Sequence, residues 1–561
     1  MVEVVSTCIY CGCGCKLKYF VEKGRITKVL GVKEDDFSEG KPCIKGLTIN
    51  EVYDKNRIIK PMIYGKKASL DKALRTIHDR LKKLSPNEVM INTSGKITNE
   101  DNYVIQEFAR TVLKTSNIDC CCGRICHSST LIAMNHCLGV DNITRINYLD
   151  EIDLLLIIGS NPEASYPVFY NKLLSKKIKK IHVNSYLKAD ITIKPGSETA
   201  LLNGLINDLI KNGVKSQVQG FELLKKTVNK YDEKLVCDVC GISKEEFKFL
   251  SSAVIKSKKL GLFHGMGLTQ QVNGIENAHS LLNLVLLKKA RILTLRGEVN
   301  VQGAGNMTSP LSKECCYTKG MTLIESIALS PVKAALIFEF NPAKSMPDLK
   351  RIKKNLDSMF LVYFGSYWNE TARMADVVIP IASLIESEGT ITNGEKRVRK
   401  VSKVINGQPQ AWVVLKELAK LFGNKINYKQ LKDITCVIKE KVIDYNKINI
   451  NDLWSNKDSW ADKTIKHETF MPEEFEGLSE HYDSNYPLIL TTIRSKYCFL
   501  GNETAGQSRT LKKAAEKPGF YLNPLDASKF KIKQGDLINV KSRVGSLTAK
   551  AIISDNMPRG V

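Results

Sequence analysis

Four cysteines near the start constrain this chain most. Cys8, Cys11, Cys15 and Cys43 have two, three and twenty-seven residues between them, with Gly12 and Gly14 loosening the first loop. Three thiolates on one such loop and a fourth returning from a distance suit a cubane 4Fe-4S cluster, whose corners need four soft ligands from different directions. Structural zinc is the alternative. Zinc sites pair cysteines in two short C-x-x-C knuckles, and a second knuckle is missing here, so the spacing favours a cluster. Cys13 lies inside the loop as a spare ligand, but its neighbours satisfy the count without it.

A chain of 561 residues is too long for one core and divides into about three or four domains. No apolar run approaches the roughly 18 to 20 residues that cross a bilayer. The first cluster cysteine at position 8 leaves no room for a leader, so a cytoplasmic protein is expected. Sixteen cysteines then mean thiols kept as ligands or small core residues. The net charge of +24 raises nucleic acid as a partner. Yet the basic residues are scattered, with only short clusters such as Lys176, Lys177, Lys179 and Lys180, and no aromatic-interleaved binding motif accompanies them. A solvated Lys-rich surface that docks an acidic electron-transfer partner fits better.

Residues 16–32 alternate apolar and polar positions around Glu22, Lys23 and Gly24, which predicts a hairpin in a small β domain over residues 1–60. Short apolar runs then alternate with helical stretches: 89–92, 154–158, 180–183, 260–263, 334–338, 359–363 and 377–379. That is the signature of open parallel α/β sheets, assigned to residues 61–424. Residues 425–484 are rich in Lys, Asn, Asp and Glu and read as a connecting segment. Beyond Pro487 the runs 488–491, 537–541 and 547–553 read as strands of a barrel-like domain over 485–561. One internal repeat stands out: Asn161, Pro162, Ser165 and Pro167 match Asn341, Pro342, Ser345 and Pro347 at a constant offset of 180. Loops leaving the carboxyl ends of parallel strands bind nucleotides, so two copies predict two related nucleotide sites; two unrelated Asn-Pro turns are the alternative. Cys237 and Cys240 form a C-x-x-C pair without a second pair, and read as core thiols.

Together these residues resemble the molybdopterin oxidoreductases, and within them the catalytic α subunits of formate dehydrogenases. The likeness runs over essentially the whole chain. The cluster loop followed by Cys43, Ile44, Lys45 and Gly46 is similar to the family's cluster domain, in which the lysine lies between cluster and pterin. Arg124, Ile125, Cys126, His127 and Ser128 resemble the segment that supplies the metal's protein ligand. Residues 295–307 resemble the run with the substrate arginine, here Arg296. Glu370, Thr371, Ala372 and Asp376, with Glu386, Gly389, Thr390, Thr392, Asn393 and Glu395, resemble the close of the third domain. Thr492, Arg494, Gly501, Thr504, Asn523, Pro524, Asp526 and Ala527 match the carboxyl-terminal pterin-binding domain.

The resemblance implies a 4Fe-4S cluster on Cys8, Cys11, Cys15 and Cys43, and molybdenum or tungsten on two molybdopterin guanine dinucleotides with Cys126 as protein ligand. It implies cofactor contacts from Lys45, Gly159, Asn161, Asn184, Glu198, Gly265, Gly267, Gln302, Asn341, Thr492, Arg494 and Asn523. Formate would be held by Arg296 and oxidised to carbon dioxide beside Cys126, with His127 handling the proton. Electrons would pass a pterin and the cluster to an iron-sulfur or flavoprotein partner. The residues agree chemically. A soft metal accepts a thiolate, Arg124 and His127 would lower the Cys126 pKa, and Arg296 offers a fork for a carboxylate. Cys120, Cys121, Cys122 and Cys137 compete as thiols but lack the adjacent histidine.

Departures from the family pattern accompany the matches. Asn184 and Glu198 stand where aspartates are usual, Glu339 and Phe340 replace a Gly and a Glu, and Glu298 replaces a glutamine. A carboxylate there could pair with Arg296 and weaken formate binding. The chain ends at Val561, where the family continues for roughly another hundred residues by domain size, so the last domain is expected to be incomplete. Alternatives from the same residues are a formylmethanofuran dehydrogenase catalytic subunit and a non-catalytic paralogue that keeps the cluster.

Overall fold

The computed structural model describes residues 1–121, 125–140, 145–186, 189–308, 320–461, 465–478, 483–516 and 518–561. Strands Val2–Thr7, Lys16–Glu22 and Arg25–Gly31 form an antiparallel sheet. The hairpin turns at Lys23 and Gly24, both with positive φ. Leu17, Tyr19, Ile26 and Val29 are buried and share a core with Ile157, Phe169, Phe263 and Leu295 from farther along the chain. The cysteine loop is therefore clamped against the larger body.

That body holds two mainly parallel sheets. One runs in the order Ile191–Thr192, Lys179–Asn184, Leu154–Ile158, Leu260–His264, Arg291–Leu293. The other runs Lys66–Lys67, Met62–Ile63, Val377–Pro380, Phe360–Gly365, Ala334–Phe338, Val89–Thr93, Ile118–Cys120. Its five strands from Val377–Pro380 to Ile118–Cys120 are parallel, and Met62–Ile63 adds antiparallel. The central strands are buried throughout, as expected for parallel strands covered on both faces. The first sheet is inserted between two portions of the second. The repeat is structural: Asn161 and Asn341 each end a central strand and cap a short helix, with φ of −119 and −121.

Two expectations need correction. Residues 425–461 do not merely connect. Helix Leu431–Lys441 and residues 442–454 insert Ile434, Ile438, Val442, Tyr445, Ile448 and Leu453 into the core of the second sheet, while Phe470 joins the core of the first. Their three-to-four spacing forms an apolar stripe that the surrounding Lys and Asn obscure. Residues 488–491 form no strand. Among the described residues the C-terminal part has three strands, with Ser546–Ile553 parallel to Gly519–Leu522 and antiparallel to Leu537–Lys541. They make a small three-stranded sheet. Cys237 and Cys240 are buried on helix Glu233–Cys240.

A buried ion pair fixes the cysteine loop. Arg399 donates through Nη1 to the Gly14 carbonyl at 2.7 Å and through Nη2 to Asp35 Oδ1 at 2.7 Å. Asp35 Oδ2 also accepts from the Ser38 hydroxyl at 2.6 Å. Burial alone would raise the Asp35 pKa, but Arg399, Ser38 and the Lys16 amide together hold it below its ordinary value. A depressed carboxyl contributes stability above its unfolded pKa and loses it as pH falls through the folded value. Ser38→Ala should therefore lower stability by about 1 kcal/mol at neutral pH, and the gap to wild type should narrow as Asp35 protonates. Urea unfolding of both proteins at pH 7 and in acid checks this; a pH-independent gap counts against it.

Candidate active site and cofactor cavity

Cys8, Cys11 and Cys15 are buried and Cys43 is partly exposed. The loop is closed by the Cys8 amide on the Cys15 carbonyl at 2.8 Å and the Gly14 amide on the Cys11 carbonyl at 3.1 Å. Burial pushes Cys8 and Cys15 up, and the neighbouring thiols push further: Cys43 and Cys11 act on Cys8, and Cys8, Cys11 and Cys43 act on Cys15. Cys8, Cys15 and Cys43, each raised by neighbouring thiols, form with Cys11 a donor set whose anionic form a cationic iron cluster would stabilise. Cys11 already lies at about 6, brought down first by a hydrogen bond from the Cys13 thiol, with Lys45 and Arg494 adding to it. Cys13 thus acts on Cys11 as a donor. Lys45 is buried, donates to the Lys496 carbonyl at 2.6 Å and favours the thiolates of Cys8, Cys11 and Cys43.

The same loop touches the segment that carries Arg296. The Gly12 amide donates to the Arg296 carbonyl at 3.0 Å, and a Cβ on Gly12 would lie 2.4 Å from that oxygen. Only glycine permits this approach. Arg296 itself is buried, and its Nε donates to Gln302 Oε1 at 3.0 Å. Gln302 passes its amide on to Asn306 Oδ1 at 2.7 Å. It orients the arginine.

His127 heads helix Ser128–Leu138, is 2% exposed, and neither ring nitrogen has a hydrogen-bond partner among the described residues. Burial drives its pKa well below the usual value, and the charges of Arg296 and His264 drive it further. The three side chains therefore share one buried neighbourhood. His264 was not singled out by sequence. It ends an apolar strand just before Gly265 and Gly267, and its Nε2 pairs with Thr294 Oγ1 at 2.8 Å. Cys126 precedes His127, is partly buried and packs on an apolar cluster that includes Phe340 and Ala343. Gln270 Nε2 donates to the Ile125 carbonyl at 2.8 Å, tying this segment to the wall of a polar cavity that Gln270 lines. Arg124 and Cys122 lie outside the described residues.

That cavity, of about 340 Å³, brings together Gly159, Asn161, Asn184, Gly265, Gly267, Thr492 and Arg494. Glu198 stands behind its wall, accepting from Gln271 Nε2 at 2.9 Å, and burial raises it to about 7. The glycines interlock: a Cβ on Gly159 would lie 2.4 Å from the Leu268 nitrogen, and one on Gly267 2.6 Å from the Gly159 carbonyl. Backbone groups thus line the cavity at the carboxyl ends of two strands, where α/β folds take dinucleotides. Arg494 adds a cation whose Nε is buried without a partner among the described residues. A diphosphate fits this donor set. Asn341 lies at the second repeat, and Asn523 lines neither large cavity. Asn523 caps helix Pro524–Lys529 and donates to the Met557 carbonyl at 2.7 Å.

Comparison with known families agrees with this layout. The Molybdopterin oxidoreductase model matches residues 57–421, its Fe4S4 domain residues 1–54, and the molybdopterin dinucleotide binding domain residues 488–561. The chain belongs to the molybdopterin oxidoreductase family. This member is an oxidoreductase that carries a 4Fe-4S cluster and a molybdenum or tungsten bis(molybdopterin guanine dinucleotide) cofactor. It is 32% identical to the F420-dependent formate dehydrogenase subunit alpha of Methanocaldococcus jannaschii, over 100% of this chain and 94% of that one. It is 26% identical to formate dehydrogenase H of Escherichia coli, over 100% and 91%. A nitrate reductase of Synechocystis is also 26% identical, over 98% and 91%. The Methanocaldococcus alignment spans 635 positions for a chain of 561, so at least 74 positions of that relative face gaps within the aligned region. Acetylene hydratase from Pelobacter acetylenicus shares the fold, with a TM-score of 0.81 over 99% of this chain and 92% of that one at 16% identity. Among the described residues no helix is long and apolar enough to cross a membrane.

Proposed function

We propose that this chain is the catalytic subunit of a formate dehydrogenase, oxidising formate to carbon dioxide and passing electrons to a partner protein. The observation that carries the reading is the buried grouping of Arg296 and His127 beside Cys126, in a chain similar along its whole length to formate dehydrogenase α subunits. Cys8, Cys11, Cys15 and Cys43 hold the cluster, and Cys126 is the protein ligand of the molybdenum or tungsten. When bound, the metal centre supplies two-electron acceptance and the cluster one-electron transfer.

The remaining chemistry falls to side chains. Oxidation of formate yields carbon dioxide, one proton and two electrons. Arg296 presents a fork already held through Nε by Gln302, which suits a carboxylate. His127 is kept neutral by burial, and its open ring nitrogens place a hydrogen-bonding group beside Arg296 that would relay the proton, since burial and the Arg296 charge oppose its holding one. Lys45 favours the cluster thiolates and donates to the Lys496 carbonyl, two residues from the Arg494 that lines the polar cavity, in line with an electron path from pterin to cluster. The partner is an iron-sulfur protein or flavoprotein.

The purified protein should contain about four iron and four labile sulfide per chain, and Cys43→Ala should lose most of both. It should also reduce benzyl viologen with formate. One zinc and no iron would sink the cluster assignment. A protein loaded with metal, pterin and cluster that reduces nitrate and ignores formate would overturn the substrate.

A further inference from the structure

A row of buried side chains runs from the proposed formate arginine to a carboxylate far along the sequence. Arg296 Nε donates to Gln302 Oε1 at 3.0 Å, Gln302 Nε2 to Asn306 Oδ1 at 2.7 Å, and Asn306 Nδ2 to Asp444 Oδ2 at 2.7 Å. Lys396 Nζ lies 3.7 Å from the same Asp444 oxygen as a counter-charge. All five side chains are buried. Gln302 and Asn306 are four residues apart on helix Val301–Thr308 and so share a face. Asp444 sits on the single helical turn Ile443–Tyr445. Val442 and Tyr445 anchor that turn in the core of the second sheet, and the Tyr445 hydroxyl lies 2.6 Å from Thr392 Oγ1.

The two ends of the row fix its direction. A guanidinium has only donors and a carboxylate only acceptors, whereas each amide between them has both. The amides must therefore turn their oxygens toward Arg296 and their nitrogens toward Asp444. Flipping Asn306 alone would set its nitrogen against the Gln302 nitrogen and its oxygen against the carboxylate. Flipping both amides would set the Gln302 nitrogen against Arg296 Nε and again oppose two oxygens at Asp444. Either mismatch leaves polar groups unmet away from water, where they are costly. An arginine gripped at Nε keeps its guanidinium in one plane, the condition for two-pronged recognition of a carboxylate.

We infer that Asp444 is a positioning residue for Arg296: its carboxylate sets the direction of the Asn306 and Gln302 amides and so holds the guanidinium in the plane that receives the substrate anion. The inference rests on the formate reading for its substrate, and it gives a residue of the 425–461 segment a part in the site. The test relocates the charge by one link. Formate-dependent dye kinetics, the thermal unfolding midpoint and iron content are measured for wild type, Asn306→Leu, Asn306→Asp, and Asn306→Asp combined with Asp444→Asn. Asn306→Leu cuts the row and lets Gln302 turn, so the KM for formate should rise about threefold to tenfold, as for a lost neutral hydrogen bond, with a smaller change in kcat. Asn306→Asp brings two carboxylates into contact and should raise the KM at least as much. Adding Asp444→Asn lets Gln302 and the new amide at 444 both donate to the carboxylate at 306. Gln302 then keeps its direction, and the KM should return to within about twofold of wild type. Midpoints that fall and recover while the KM stays flat would show that the row holds the fold and not the arginine, and would overturn the inference. A double variant that recovers its midpoint and iron but not its KM would overturn it too. Wild type that reduces nitrate and ignores formate would overturn the substrate reading alone; the same series is then judged on the KM for nitrate, a planar anion of the same charge.

Discussion

Cys126→Ala is expected to abolish formate-dependent dye reduction while leaving iron and labile sulfide unchanged. The two centres draw on separate segments: the cluster thiols lie in residues 8–43, whereas Cys126 lies on the short stretch that leads into helix Ser128–Leu138. The cluster loop hydrogen-bonds to Arg296, Asn393, Gly394 and Arg399. Loss of an outer partner of a metal site already costs roughly 10 to 100-fold, so loss of the ligand itself should exceed that. Dye reduction, iron and metal analysis on the same preparation checks this. Full activity in Cys126→Ala would place the ligand elsewhere, and parallel loss of iron would mean a structural role.

The parts of this fold that were legible in sequence share one property, continuity along the chain. Parallel strands buried on both faces read as unbroken apolar runs, so residues 154–158, 260–263 and 334–338 could be placed directly. The cluster domain was legible because three of the four proposed ligands lie within eight residues. The insertion of one sheet into the other was not, because it depends on Val89–Thr93 pairing with Ala334–Phe338 across a long sequence gap. Resemblance carried positions but not partners. Gln302 and Asn523 were placed by the family's motif, whereas their partners, Arg296 and Asn306 for the first and the Met557 carbonyl for the second, emerge only in the fold. The carboxylates around Lys96 come from positions 298, 339 and 503, and nothing in their spacing predicts that they meet.

Arg296→Lys keeps the charge at the proposed formate site but loses the fork. A charge-assisted hydrogen bond is worth roughly 1.5 to 3 kcal/mol, so the KM for formate should rise about tenfold or more, with a smaller change in kcat. Lysine would also lose the Nε donor that Gln302 accepts, leaving that amide oxygen buried without its present partner. Glu298 gives the contrasting case. From sequence alone it could have paired with Arg296, so that Glu298→Gln would tighten formate binding. The structure turns its carboxylate instead to the Gly95 amide and toward Lys96. Burial raises the Glu298 pKa while Lys96 draws it down, and neither influence comes from the formate fork. Glu298→Gln is therefore expected to leave the KM for formate within about twofold of wild type, because a surviving hydrogen bond to Gly95 holds the side chain in place. Formate-dependent dye kinetics on wild type and the two variants separate the roles. Indifference to Arg296→Lys would refute the substrate site, and a large fall in KM for Glu298→Gln would show that its charge reaches the arginine after all.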